Sequence, residues 1–156
     1  MLYSNTKNMA KIKYVYWEDD IGGKKCVLET VAYRYGYSVG PHGQWEMLIA
    51  REDKDVQKDQ TVTIKIEEVE IPPKSIVLAC LTLRHALGVV LTADAMGKPK
   101  GVETRRVLDE VVFLPIHDGT VHKGELLTVV NVFHATPERR FARGAAEKWL
   151  QERYRY

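Results

Sequence analysis

Five histidines, at positions 42, 85, 117, 122 and 134, carry the side chains best suited to exchange a proton or to bind a metal near neutral pH. Their spacing argues against a metal centre. His117 and His122 straddle a turn instead of sharing a helical face, and no His-Glu-x-x-His pair occurs. No metal ligand set and no cofactor can be named from the residues. There is also no glycine-rich phosphate loop, no Gly-x-Ser-x-Gly elbow and no Cys/His dyad, so covalent catalysis lacks a nucleophile.

The segment Arg84-His85-Ala86-Leu87-Gly88 has more chemical content, because a charged pair interrupts two apolar runs where a turn or sheet edge must lie. An arginine there can grip an anion with its guanidinium fork, and a histidine can exchange a proton. His117-Asp118 occupies a second turn of the same kind. Arg84, His85, His117 and Asp118 are therefore the candidate ligand-binding residues, with a small anion as the ligand. An enzymatic alternative uses His85 with one of Asp94, Asp109 or Asp118 as acid and base, with a metal drawn from the histidines. The plain structural alternative is that carbonyls and carboxylates of the fold satisfy the same groups.

The elements that position these residues read mainly as strands. Lys11–Trp17 and Cys26–Tyr35 are rich in β-branched and aromatic residues and flank Asp19-Asp20-Ile21-Gly22-Gly23, a hairpin turn. Trp45–Ala50 is a short apolar run, and Arg51–Gln60 reads as a solvated turn. In Thr61–Ile71 the apolar residues move from even positions (Val62, Ile64, Ile66) to odd ones (Val69, Ile71), which predicts a bulge at Glu67-Glu68. Pro72-Pro73 ends that strand. Ser75–Leu83 and Leu87–Ala93 are near-continuous apolar runs, which predicts strands covered on both faces. Val107–Ile116 and Leu126–His134 are expected to pair across the Asp118-Gly119 turn. Thr136-Pro137-Glu138 opens a helix expected to span about 137–153, with Phe141, Ala142, Ala145, Ala146 and Trp149 on the side that docks on the sheet.

The fold expected is thus a β-barrel or sandwich of about eight or nine strands with one C-terminal α-helix packed on the sheet. Residues 1–9 read as a loose polar tail and residues 10–156 as a single globular domain, a length that one core accommodates.

Composition sets outer limits on function. The 23 basic and 21 acidic residues leave a net charge of +2, far from the concentrated positive field of a nucleic-acid footprint. The arginines near the C-terminus alternate with Glu138, Glu147 and Glu152, so no RNA-binding face is expected there. No apolar run reaches the ~18–20 residues that span a bilayer, and residues 1–13 lack the apolar stretch of a secretory signal. Two cysteines, Cys26 and Cys80, lie far apart in apolar surroundings and read as buried thiols in a reducing cytoplasm.

Trp45-Glu46-Met47-Leu48-Ile49-Ala50, Ile71-Pro72-Pro73, Arg84-His85-Ala86-Leu87-Gly88, Asp118-Gly119 and Val121-His122-Lys123-Gly124-Glu125-Leu126-Leu127 follow one another in an order that resembles the archaeal family known as domain of unknown function twenty-two. The likeness covers about residues 40 to 135, and it implies an archaeal-type cytoplasmic protein without assigning a reaction or ligand. The rhythm of turns also resembles that of biotin and lipoyl carriers, but the carrier lysine at a hairpin tip is missing. The sequence reading is therefore a small-ligand-binding or assembly module that forms homo-oligomers, with the non-covalent enzyme as alternative.

Overall fold

The computed structural model describes residues 9–33, 43–93, 100–102, 104–135 and 151–152. Within them, ten strands form four open sheets whose strands pair antiparallel. Strands β1 (Met9–Trp17) and β2 (Lys25–Tyr33) make the hairpin that the glycines predict, with Gly22 at a φ of 84° that a side chain would disfavour. A three-stranded sheet is built from β3 (Gly43–Ile49), β6 (Ser75–Arg84) and β10 (Leu126–His134) in the order β3-β10-β6. A second three-stranded sheet contains β5 (Val62–Ile71), β7 (Gly88–Ala93) and β8 (Arg106–Pro115) in the order β5-β8-β7. Two short strands, β4 (Lys54–Val56) and β9 (Gly119–Val121), pair with each other.

Alternation along β3 places this central sheet between two cores. Leu48 and Ala50 face a larger core with Ile64, Val69, Ile71, Leu108 and Phe113 of the β5-β8-β7 sheet. Met47 and Ile49 face a smaller one with Ile12 of the hairpin. Burial of each such side chain contributes roughly 1.5–3 kcal/mol, so the larger core dominates the stability. Strand β10 serves both. Its pairing shifts between Leu126 and Thr128 against β3, and between Thr128 and Val130 against β6. These irregularities turn Leu126 and Val129 toward the smaller core, and Leu127 and Val130 toward the larger.

The bulge expected at Glu67-Glu68 is present: pairing of β5 with β8 shifts between Lys65 and Val69. Ile64 and Ile66 are buried before it, Val69 and Ile71 after it. Strand β8 answers with the same exchange of faces, burying Leu108 and then Val111 and Phe113. At the irregularity Ile66 bridges Ala50, and the Arg51 amide donates to the Lys65 carbonyl at 2.9 Å, so the bulge ties the second sheet to the end of β3.

Several expectations are corrected. The sheets do not close into a barrel, because each three-stranded sheet ends in strands bonded on one side only among the described residues. No helix stands beside these sheets among the described residues. The span expected to be helical, about 137–153, falls outside them except for Gln151 and Glu152, an exposed pair of helical residues. Strand β8 pairs with β5 and β7, not with β10, and Asp118-Gly119 leads into β9. The stretch read as a solvated turn contains β4. Strand β6 is only partly covered, with Val77, Cys80 and Leu83 packed against the cores but Leu78 53% and Leu81 89% exposed. Both cysteines are half-buried and unpaired.

Candidate functional site

The turn between β6 and β7 is bonded to several distant parts of the chain. The His85 amide donates to the Leu127 carbonyl at 3.1 Å, and the Ala86 amide to the Val15 carbonyl at 3.0 Å. The Leu87 carbonyl accepts from the amides of Ile116 and His117. Three separate strands or strand ends, β10, β1 and the end of β8, therefore converge on residues 85–87. Gly88 completes the turn, where a Cβ would lie 2.2 Å from the Leu114 carbonyl oxygen, so the close approach of β8 requires glycine.

The His85 ring is fully buried, edge-on to Phe113. Its Nδ1 accepts from the Leu87 amide at 3.1 Å. An amide can only donate, so Nδ1 is unprotonated and the proton resides on Nε2, which donates to Oε2 of Glu125 at 2.8 Å. That oxygen also accepts from the His122 amide at 2.9 Å. Burial pushes the Glu125 carboxyl upward, but the hydrogen bonds from His85 and His122 outweigh it and hold the group below its ordinary value. The residues around Glu125 are equally tied: Gly124 donates to the Ala50 carbonyl and accepts from the Lys13 amide.

This arrangement brings together some of the residues singled out in the sequence and separates others. The carboxylate that meets His85 is Glu125, and Asp118 and Asp109 do not. Both ring nitrogens of His85 are occupied and the ring has no exposed surface, so it offers no atom to a ligand in this conformation. Arg84 is exposed at the end of β6, opposite Thr128. His117 is half-buried with its ring edge-on to Trp17 at 5.1 Å. Asp118 is exposed and accepts the Lys58 amide at 2.7 Å, which fastens the loop between β4 and β5. Asp94 lies outside the described residues. Among the described residues no group of three His, Cys, Asp or Glu side chains is placed to hold a metal.

Concavity lies elsewhere, between the central sheet and the β5-β8-β7 sheet. A half-open cavity of about 530 Å³ is walled by apolar side chains, among them Leu48, Ile71, Val77, Val90, Leu108 and Val130. Among the described residues its polar lining is Thr92, Thr128, Lys100 and Arg106. Thr128 donates to the Leu83 carbonyl and Thr92 to the Ala93 carbonyl, so both hydroxyl protons are engaged. The Arg106 guanidinium donates through Nη2 to the carbonyl of Ser75. Sequence reading passed over Arg106 because it precedes the run Val107–Ile116 and looks like an ordinary flanking charge. Its one legible signal is position: it opens a strand whose next residues are apolar on both faces.

A second acid missed in the sequence is Glu46, buried on β3. Its Oε1 accepts from Gln44 Nε2 at 2.7 Å, and its Oε2 is buried with no partner among the described residues. Burial raises its carboxyl from about 4.5 to about 7, against the opposing hydrogen bond from Gln44.

The chain belongs to the family described as Domain of unknown function DUF22, whose model matches residues 11–119. That match takes in the β1-β2 hairpin and ends before the His122–Leu127 segment. The chain is 28% identical over 104 residues to an uncharacterized protein of Methanocaldococcus jannaschii, a stretch that covers 65% of this chain and 78% of that archaeal protein. No solved structure matches the chain. Among the described residues no helix is long and apolar enough to cross a membrane.

Proposed function

We propose that this protein is a small-ligand-binding module that takes its ligand into the cavity between its two three-stranded sheets. The observation that carries this reading is the cavity of about 530 Å³, within the range of roughly 300–1,000 Å³ usual for ligand pockets, with apolar walls and a few polar groups. The Arg84-His85 turn supports it indirectly, as a tie that holds strands in place. The test is titration with the neutral fluorophore N-phenyl-1-naphthylamine, which brightens in apolar surroundings. One site is expected on the native chain, and Ala93→Phe, which fills the cavity from β7, should abolish it. Binding that survives the filled cavity, or no binding at all, would reject the reading.

Assembly of copies of this chain is a second reading, favoured by strand β6. Among the described residues β6 is bonded on one side only and carries no charge from Ile76 to Leu83, with Ile76, Leu78 and Leu81 exposed. A second copy running antiparallel along this strand would cover the kind of open apolar edge that proteins ordinarily protect. Light scattering after size exclusion should give a dimer for the native chain and a monomer for Leu81→Glu. A native monomer would sink this reading alone.

A further inference from the structure

We infer that the ligand of the cavity is an organic anion, an apolar body ending in a carboxylate, and that Arg106 holds its head group. This rests on the cavity-binding reading above and adds the chemical class of the ligand. Arg106 opens β8 opposite Ile71, where the second sheet borders the cavity. The carbonyl of the fully buried Ser75 receives Nη2, which fixes the orientation of the guanidinium plane. Ser75 is itself anchored, since its amide donates to the Val102 carbonyl at 3.3 Å.

Among the described residues no carboxylate compensates the charge on that plane. Arg106 Nε is buried with no partner, and no ion pair among the described residues involves Arg106. Its neighbour Arg105 differs, with its Nε 2.8 Å from Oε1 of Glu70 on the exposed side of the strand pair. A partly buried cation beside apolar walls loses hydration without an opposite charge to replace it. Among the described residues the cavity lining includes no carboxylate to offset the Arg106 charge. A guanidinium has five donors in a rigid fork that matches a carboxylate, and Ser75 occupies one of them. A carboxylate arriving from the solvent side meets donors already oriented, while its apolar body meets Leu48, Ile71, Leu108 and Val130. Arg84 was the arginine expected to grip an anion; Arg106 has the cavity.

Displacement of N-phenyl-1-naphthylamine by octanoate and by 1-octanol, at pH 8 where the acid is ionised, separates the possibilities. Octanoate is expected to bind at least tenfold more tightly than octanol to the native chain. In Arg106→Gln that preference should vanish, chiefly through a loss of octanoate affinity. Equal binding of acid and alcohol to the native chain would overturn the anion inference and leave the cavity reading intact. An octanoate preference that persists undiminished in Arg106→Gln would overturn the role of Arg106. If the fluorophore, acid and alcohol all fail to bind, the cavity reading falls and this inference with it. The native comparison needs no substitution, so it decides the anion question even if Arg106→Gln does not fold.

Discussion

His85 donates its Nε2 proton to Glu125 Oε2 at 2.8 Å across 40 residues of chain, and both side chains are buried. The pair joins the turn that follows β6 to the turn that precedes β10. Replacing His85 by phenylalanine keeps the ring volume but leaves the Leu87 amide without its acceptor and the buried Glu125 carboxylate with only the His122 amide. The expected cost is about 2–4 kcal/mol, measured by urea unfolding. A loss below about 0.5 kcal/mol would mean that the tie is ornamental.

Glu125 also sets an acid limit. Its carboxyl lies below the ordinary value in the folded chain, so the unfolded chain takes up the proton first as the pH falls. The stabilisation is present above about pH 4.5 and is lost on descent through the folded value. Glu125→Gln should flatten the acid limb of a stability profile below about pH 4.5.

Glu46 acts with the opposite sign. Its carboxyl is raised to about 7 in the folded chain, so between about 4.5 and 7 the folded state holds a proton that the unfolded state releases. Stability from this group is full below about 4.5 and is lost as the pH rises through 7. The swing is on the order of 3 kcal/mol. Glu46→Gln should remove the decline, leaving the variant more stable than the native chain at pH 8. Parallel profiles for the two proteins would show that Glu46 does not titrate this way.

Gly88→Ala should be among the most damaging of small substitutions, because the added carbon meets the Leu114 carbonyl oxygen at 2.2 Å and Pro115 Cα at 2.8 Å, which are backbone atoms with little freedom to move. A loss of about 3 kcal/mol or more, or failure to fold, is expected from thermal unfolding.

Asp118→Ala tests a role as a loop fastener. It removes the acceptor for the Lys58 amide and should cost about 1 kcal/mol. Octanoate affinity should stay as in the native chain, since Asp118 does not line the cavity. A large drop in affinity with unchanged stability would return Asp118 to the binding site.

What could be read from the sequence was local. The β1-β2 hairpin is written in its glycines, and the bulge in β5 in the move of apolar residues from even to odd positions. Sheet partners were not legible, because β8 could pair with any apolar strand and adjacency across Asp118-Gly119 favoured β10. The short β4 and β9 were hidden by charge and glycine in segments of three residues. The exposure of much of β6 was masked by its composition, since an unbroken apolar run looks the same whether it is enclosed or open. His85 was found, but its partner was sought among aspartates; Glu125, a lone acid before the run Leu126–Val130, was the better sign. Arg106 escaped because the sequence does not reveal which flanking charge faces a cavity.

Strand β10 supplies side chains to both cores, pairs with β3 and β6 at once, and follows every other strand among the described residues. During synthesis, then, the hairpin can form early, but neither core can close until the last strand leaves the ribosome. Until that moment the apolar faces of β3 and β6 remain without the strand that lies between them. Folding is governed by contacts distant in sequence, which makes it slow and leaves the nascent chain open to misassociation.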